Sequence, residues 1–313
     1  MELSMTKACE LGDDRDRAKW LIDSLWLDEA VGVIGGEPKT CKTFMALEMA
    51  IAVSSGRPFL RHFTVENPGR VLLFTAEDPL HVVRRRLAVI AAASGADFSA
   101  CDIQVITVPV LRLDLPEHRS ALTDAVERLK PRLLILDPFI RLHRVDENHS
   151  GEIAPLLAYL RAVQKTFGTS IVVVHHARKR TGSARAGQSL RGSSEFHAWY
   201  DSHLYLTRQG KDGLRLDVEH RSAESCEGIR LSIVPTDDSL RLDVKAVASI
   251  EEELPVNLED RIIGFLRSVE APQSLNTIRN ACRARKTSVV EQLAGLVSRG
   301  NLRKLADGFV LAS

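Results

Sequence analysis

The sequence predicts an α/β fold: a mostly parallel sheet flanked by helices, with antiparallel strands on its C-terminal side, followed by a small separate module. Three observations carry this. Short apolar runs alternate with segments of helical periodicity through the first half of the chain. Those runs are apolar on both faces, as strands covered by helices on both sides must be. After Ala177 the texture changes, first to a Gly/Ser/Arg-rich stretch, then to runs of alternating apolar and polar residues that suit antiparallel strands.

The elements follow in order. Residues 1–18 are polar and charged, which fits a peripheral arm and not a signal peptide. "AVGVIGG" (30–36) is a buried strand running into glycines, and "KTFMALEMAIAVSSG" (42–56) is a helix stopped by Gly56. "RVLLFTAEDP" (70–79) and "IQVITV" (103–108) are strands, each followed by a helix, "PLHVVRRRLAVIAAASG" (79–95) and "HRSALTDAVERLK" (118–130). "RLLILDPF" (132–139) and "TSIVVVHHA" (169–177) are two further strands, with the helix "IAPLLAYLRAVQKTFG" (153–168) between them. "RKRTGSARAGQSLRGSS" (178–194) has no apolar period and reads as a loop. "DSHLYLTRQ", "GLRLDVEHR", "GIRLSIVP" and "LRLDVKAV" supply the antiparallel strands up to residue 247. The acidic stretch 249–257, with Pro255, reads as a linker between a domain at 19–248 and a module at 258–313.

In that module "LEDRIIGFLRSV" has apolar residues at 258, 262, 263, 266 and 269, an amphipathic helix. "SLNTIRNACR" gives a second helix and "KTSVVEQLAGLVSRG" a third, with Ser288 and Glu291 at capping-box spacing. "NLRKLADGFVLA" gives two short strands around a turn at Asp307-Gly308. Three helices and a hairpin make a winged helix-turn-helix.

Composition excludes several classes. The 313 residues carry a net charge of +1, so no global field recruits nucleic acid and any such surface is local. No apolar run approaches the ~20 residues of a membrane span. Five scattered cysteines without a C-x-x-C pair argue for reduced thiols in a cytoplasmic protein.

The chemistry concentrates in "GGEPKTCKT". The pattern G-x-x-x-x-G-K-[ST] cradles phosphates, because successive backbone N–H groups and a helix N-terminus converge on the anion. Gly36, Glu37, Pro38, Lys39 and Thr40 open the loop, and Lys42-Thr43 close it with the cation and the Mg²⁺-ligating hydroxyl. Cys41 departs from the pattern by standing where its second glycine belongs. "RLLILD" ends a buried strand on Asp137, the acidic residue that holds Mg²⁺ in such sites. "LLFTAED" places Glu77 just past another strand end, where ligands of open α/β sheets bind, so Glu77 suits the base that activates water. Its plainer reading is a helix N-terminal carboxylate.

In order along residues 18–225, "GGEPKTCKT", "LLFTAEDP", "LLILDPFIRLHRVDENHSGE", "IVVVHHARK" and "LRGSSEFHAWYDSHLYL" resemble the RepA-type hexameric replicative helicases, within the RecA/KaiC-like P-loop ATPases. The resemblance implies a RecA-like core that binds ATP and Mg²⁺ at subunit interfaces of a homo-oligomeric ring, with DNA as partner. It gives Lys42 and Thr43 to the nucleotide, Asp137 to the metal and Glu77 to catalysis. His175 and His176 become a pair that senses the γ-phosphate or couples it to DNA. Arg191 becomes an arginine finger, with His220-Arg221 as a second candidate. The plainer readings are strand-end histidines, a zinc remnant without a third ligand, and a surface arginine. "RRR" at 84–86 reads as a solvated helix face.

In a ring of this kind the loops after Asp137 and after His176 face the central axis. The second carries Lys179, Arg180, Arg185 and Arg191 without an acid or an aromatic, which suits contact with a phosphate backbone and not base stacking. In the C-terminal module Arg285, Lys286, Arg303 and Lys304 are candidate DNA contacts, from the third helix and the wing. The plainer use of that module is protein contact or ring assembly. Two functions remain open: a DNA-dependent ATPase of the helicase or translocase type, and an ATP-gated DNA-binding regulator with weak hydrolysis.

Overall fold

The computed structural model describes residues 5–10, 20–147, 149–176, 193–236, 239–245, 258–267, 269, 272–282, 286–305 and 308–312. The chain divides into two compact units, 1–247 and 248–313.

The first unit opens with two short antiparallel strands, β1 (Trp20–Ile22) and β2 (Trp26–Leu27). Then come β3 (Val31–Gly36), α1 (Lys42–Ser55), β4 (Val71–Thr75), α2 (Leu80–Ser94), β5 (Ile103–Val105) and α3 (Pro116–Leu129). These are followed by β6 (Leu133–Asp137), α4 (Ser150–Phe167), β7 (Ser170–His176) and α5 (Ser193–Trp199). The unit closes with β8 (Ser202–Gln209), β9 (Gly213–His220), β10 (Cys226–Pro235) and β11 (Leu240–Val244). Among the described residues the main sheet has nine strands in the order β11-β10-β9-β8-β3-β7-β6-β4-β5. From β8 to β5 every neighbour pair is parallel, and β8 to β11 are antiparallel. The strands are short because each apolar run is short, and parallel because a helix returns the chain after each of β3, β4, β5 and β6.

Alternate residues of each strand face opposite layers. Ile34, Leu73, Ile135 and Val174 pack with α1, α2 and the β1–β2 pair. Val33, Phe74, Leu136 and Val173 pack with α3, α4 and α5. Gly32 is dictated by crowding: a Cβ there would stand 1.9 Å from the Ser202 carbonyl oxygen and 2.6 Å from the Trp26 ring. The helices α1, α2 and α4 each end at a glycine in the left-handed region (Gly56, Gly95, Gly168), where a Cβ is penalised.

The second unit holds α6 (Leu258–Arg267), α7 (Leu275–Ala281) and α8 (Lys286–Ser298), and the antiparallel pair β12 (Leu302–Leu305) and β13 (Gly308–Leu311). Its core includes Ile262, Leu266, Ile278, Val289, Leu293, Leu296 and Leu302. Two local expectations are corrected. Ser288 lies inside the first turn of α8, which starts at Lys286, so it does not cap that helix. Gly308 is paired with Leu305 in the ladder, so it belongs to the strand, and Asp307 lies outside the described residues. The Ser hydroxyl that does cap a helix here is Ser274, which accepts the Thr277 N–H at 3.2 Å at the start of α7. Among the described residues no helix is long and apolar enough to cross a membrane.

Candidate nucleotide-binding site

The site forms at the carboxyl ends of β3, β4 and β6. The strand β3 stops at Gly36, where φ is +151° and a Cβ would meet the Leu206 carbonyl oxygen at 2.4 Å. The next residues fold into a compact loop. The Thr40 hydroxyl donates to the Glu37 carbonyl at 2.8 Å, and the Lys42 ammonium donates to the same oxygen at 2.7 Å. Lys39 and Cys41 both have positive φ, 64° and 61°. Cys41 is the residue before α1, and its carbonyl accepts the Met45 N–H at 2.9 Å.

Cys41 therefore adopts a backbone that glycine adopts freely. The left-handed conformation costs a non-glycine residue about 1–2 kcal/mol. A glycine there would give back about 0.4–1 kcal/mol through its looser unfolded chain. The two nearly cancel, so Cys41→Gly is expected to shift stability by less than about 1 kcal/mol and leave Mg·ATP affinity within threefold. Cys41→Val puts a β-branched side chain at a left-handed φ, a genuine outlier; it is expected to weaken Mg·ATP binding at least tenfold. Titration of a fluorescent ATP analogue into the two variants checks both, and a tolerated valine would remove this account of the loop.

Two buried charges face each other across the site. Lys42 and Asp137 are each only 4% exposed. Burial pushes the Lys42 ammonium down to about 8, against the opposing pull of Asp137, Cys41 and Glu37. Burial likewise pushes the Asp137 carboxyl up to about 6; the Thr43 hydroxyl bonded to it lowers it, Asp78 and Glu77 raise it further, and Lys42 lowers it. Both groups are displaced toward neutrality, so their mutual attraction does not offset desolvation. A cation beside Asp137 and an anion beside Lys42 would restore both charges. Burial also raises the Cys41 thiol, with Arg208 and Lys42 opposing.

A cavity of about 220 Å³ opens between these elements, lined by Thr43, Thr75, Glu77, Asp78, Arg86, Asp137 and Pro138. The Thr75 hydroxyl is buried there without a hydrogen-bond partner. Its lining of hydroxyl and carboxylate oxygens is the hard donor set that Mg²⁺ takes, with water and phosphate oxygens completing the shell. Among the described residues no group of three or more His, Cys, Asp or Glu side chains could hold a metal by itself. The residues present fit Mg·ATP, with Thr43 and Asp137 on the metal side.

Glu77 lines this cavity but is half exposed, and its Oε1 accepts from Arg141 Nε at 2.9 Å. Asp78 is paired with Arg86. Sequence reasoning passed over Thr75, Asp78 and Arg141, and it placed Arg86 on a solvated helix face. Arg86 is in fact half-buried and lines the cavity, where it is paired with Asp78 just before α2. The adjacency of Glu77 and Asp78 was the one available signal: either carboxylate after the strand can reach the same space.

The other expected site residues are placed as follows. His176 ends β7 in register with Gly36, beside the loop, and His175 is buried against Phe196 and Phe139, with ring centroids 4.5 and 6.1 Å away. His220 packs on Trp20 at 5.0 Å with Nδ1 3.1 Å from the Ser202 hydroxyl. Arg221 donates to the Ala198 carbonyl and lies 3.5 Å from Asp201. Both are engaged by their own chain, and Arg221 remains exposed. Arg191, Lys179, Arg180, Arg185 and Arg285 lie outside the described residues. Lys286 opens α8, and Arg303 and Lys304 are exposed on β12.

The family model described as "AAA domain" matches residues 2–182. The match spans more than half of the 313 residues and takes in β3, the phosphate-type loop, Glu77 and Asp137. The large, mostly parallel sheet is consistent with the core of P-loop nucleotide hydrolases, and that family generally binds ATP with Mg²⁺. The chain belongs to the AAA domain family of P-loop ATPases.

Proposed function

We propose that this protein is a DNA-stimulated ATPase of the RepA-type helicase or translocase kind, with a RecA-like core working as a homo-oligomeric, hexameric ring. The observation that carries this reading is a cavity at the carboxyl edge of the sheet lined by Thr43, Asp137 and Glu77, with the buried Lys42 ammonium close enough to Asp137 for each to act on the other's charge. Lys42 exchanges the Glu37 carbonyl for the β and γ phosphates of ATP. Thr43 and Asp137 would hold Mg²⁺, which when bound would supply neutralisation of charge on the phosphoryl group. Glu77 takes a proton from water as the water oxygen bonds to the γ-phosphorus and the bond to ADP breaks. A cation from a neighbouring subunit, Arg191 being the candidate, completes the site, and His176 reports the γ-phosphate to the segment that follows β7.

The second unit extends the reading. Three helices and a β-hairpin match the order of a winged helix-turn-helix, and Arg303 and Lys304 are exposed on the hairpin. Together with Arg285 and Lys286 they would contact the DNA backbone. Lys179, Arg180 and Arg185 would do the same from the first unit.

The test is ATP hydrolysis by the purified protein alone and with single- or double-stranded oligonucleotides, beside light scattering to count subunits with and without Mg·ATP. Stimulation by single strands of tenfold or more, in a hexamer, is the expected result. A low rate indifferent to DNA, together with tight DNA binding that needs ATP, would replace the motor by an ATP-gated regulator.

A further inference from the structure

The carboxylate proposed as base is already occupied. Arg141 Nε lies 2.9 Å from Glu77 Oε1, so the guanidinium holds an oxygen on which a water proton would have to land. Arg141 sits four residues past Asp137, on a segment with buried residues on either side of it. Phe139, Leu142 and His143 are buried, Glu147 is 4% exposed, and His143 Nε2 lies 3.6 Å from Glu147 Oε1. Arg112 donates to the His143 carbonyl at 2.7 Å, and the Leu142 carbonyl is bonded to the Leu113 N–H. Between these anchors Arg141 and Arg144 stand out to solvent. These contacts anchor the backbone on the C-terminal side of Arg141, while its side chain is 61% exposed.

We propose that Arg141 is a restraining and positioning residue for Glu77, and that a nucleic-acid phosphate competes with Glu77 for it. This rests on the reading of Glu77 as base and of DNA as partner given above. An ion pair so exposed contributes little net stability, so exchanging one partner costs little. Guanidinium takes a phosphate bidentately at least as well as a carboxylate, so the exchange has a chemical reason to run. Two exposed guanidiniums, Arg141 and Arg144, stand on this segment, with the exposed Asp146 carboxylate two residues further on. Linkage makes the relation reciprocal: whatever draws Arg141 off Glu77 is itself bound more weakly while Glu77 holds it.

Two experiments test this. In steady-state hydrolysis, Arg141→Ala is expected to raise the DNA-free rate at least fivefold with KM for ATP unchanged. The ratio of stimulated to unstimulated rate should fall toward one, and Arg141→Lys should fall between. Without any nucleotide, anisotropy of a labelled single-stranded oligonucleotide is expected to show Glu77→Gln binding about threefold tighter than wild type. Arg141→Ala should bind more weakly there, with its salt dependence reduced by about one phosphate contact. A tenfold slower Arg141→Ala, or one still stimulated like wild type, overturns the proposal. So does equal oligonucleotide affinity in Glu77→Gln and wild type. A tenfold rise in KM for ATP with oligonucleotide binding untouched would make the nucleotide's own phosphate the competitor, and would overturn it too. A wild type that DNA does not stimulate sinks the function proposed above; a stimulated wild type beside an equally stimulated Arg141→Ala sinks this inference alone.

Discussion

Glu77→Gln is expected to bind Mg·ATP within threefold of wild type and to hydrolyse it on the order of 10²–10⁴-fold more slowly, the range a positioned general base supplies. The amide keeps the size of the side chain and its place over the cavity, so the loop, Asp137 and Lys42 stay as they are. What it loses is the proton acceptor. The split matters more than the rate: a falling kcat with a constant nucleotide affinity marks a group that acts at the transition state. Asp78 is the alternative, since it lines the same cavity one residue on. A Glu77→Gln variant at wild-type speed, beside a silent Asp78→Asn, would move the base by one residue and leave the rest of the site standing.

Lys42→Ala has the other large effect, on affinity. The buried ammonium has the Glu37 carbonyl at 2.7 Å in place of phosphate oxygens. Each charge-assisted hydrogen bond to phosphate is worth about 1.5–3 kcal/mol, so its loss weakens Mg·ATP binding about 10–100-fold. The pH dependence gives a second readout. Burial has pushed Lys42 down to about 8, so the nucleotide-free protein loses this cation as pH rises through that value. Wild-type affinity for Mg·ATP is therefore expected to decline above about pH 8, and Lys42→Ala is expected to lack that decline. Calorimetric titrations at several pH values, in buffers of matched ionic strength, would show whether the two curves converge; parallel curves would detach the effect from Lys42.

Much of the site was legible in the sequence for a physical reason. Asp137 ends the apolar run of β6, Glu77 lies two residues past β4, and Lys42 and Thr43 open the helix after the loop that follows β3, and the ends of parallel strands gather by topology. Thr75, Arg86 and Arg141 were not legible, because each is placed by a contact without a local pattern: a hydroxyl at a strand end, a pairing with Asp78 back across the start of α2, and a pairing with Glu77 from the segment after β6. The β1–β2 pair escaped because strands of two and three residues have no period to detect. Cys41 was legible only as a wrong letter; its φ of 61° shows that the letter changed and the backbone did not. In the second unit the three helices and the hairpin followed from their apolar spacing, while Ser288 fell inside the helix it was expected to cap and Gly308 inside the strand it was expected to precede.

The strand β7 lies between β3, which carries the phosphate-type loop, and β6, which carries Asp137. The two halves of the site are thus never in direct ladder contact; their alignment is inherited through a third strand, from Gly36 opposite His176 on one side and from Leu136 opposite Val173 on the other. This makes β7 the ruler of the molecule. One residue inserted within it would turn its apolar faces over and offset Lys42 from Asp137 by about 3.3 Å. The same insertion at the exposed turn around Gly210 would be absorbed outside the ladder. The spacing between the loop and Asp137 is thus set by the strand that lies between them.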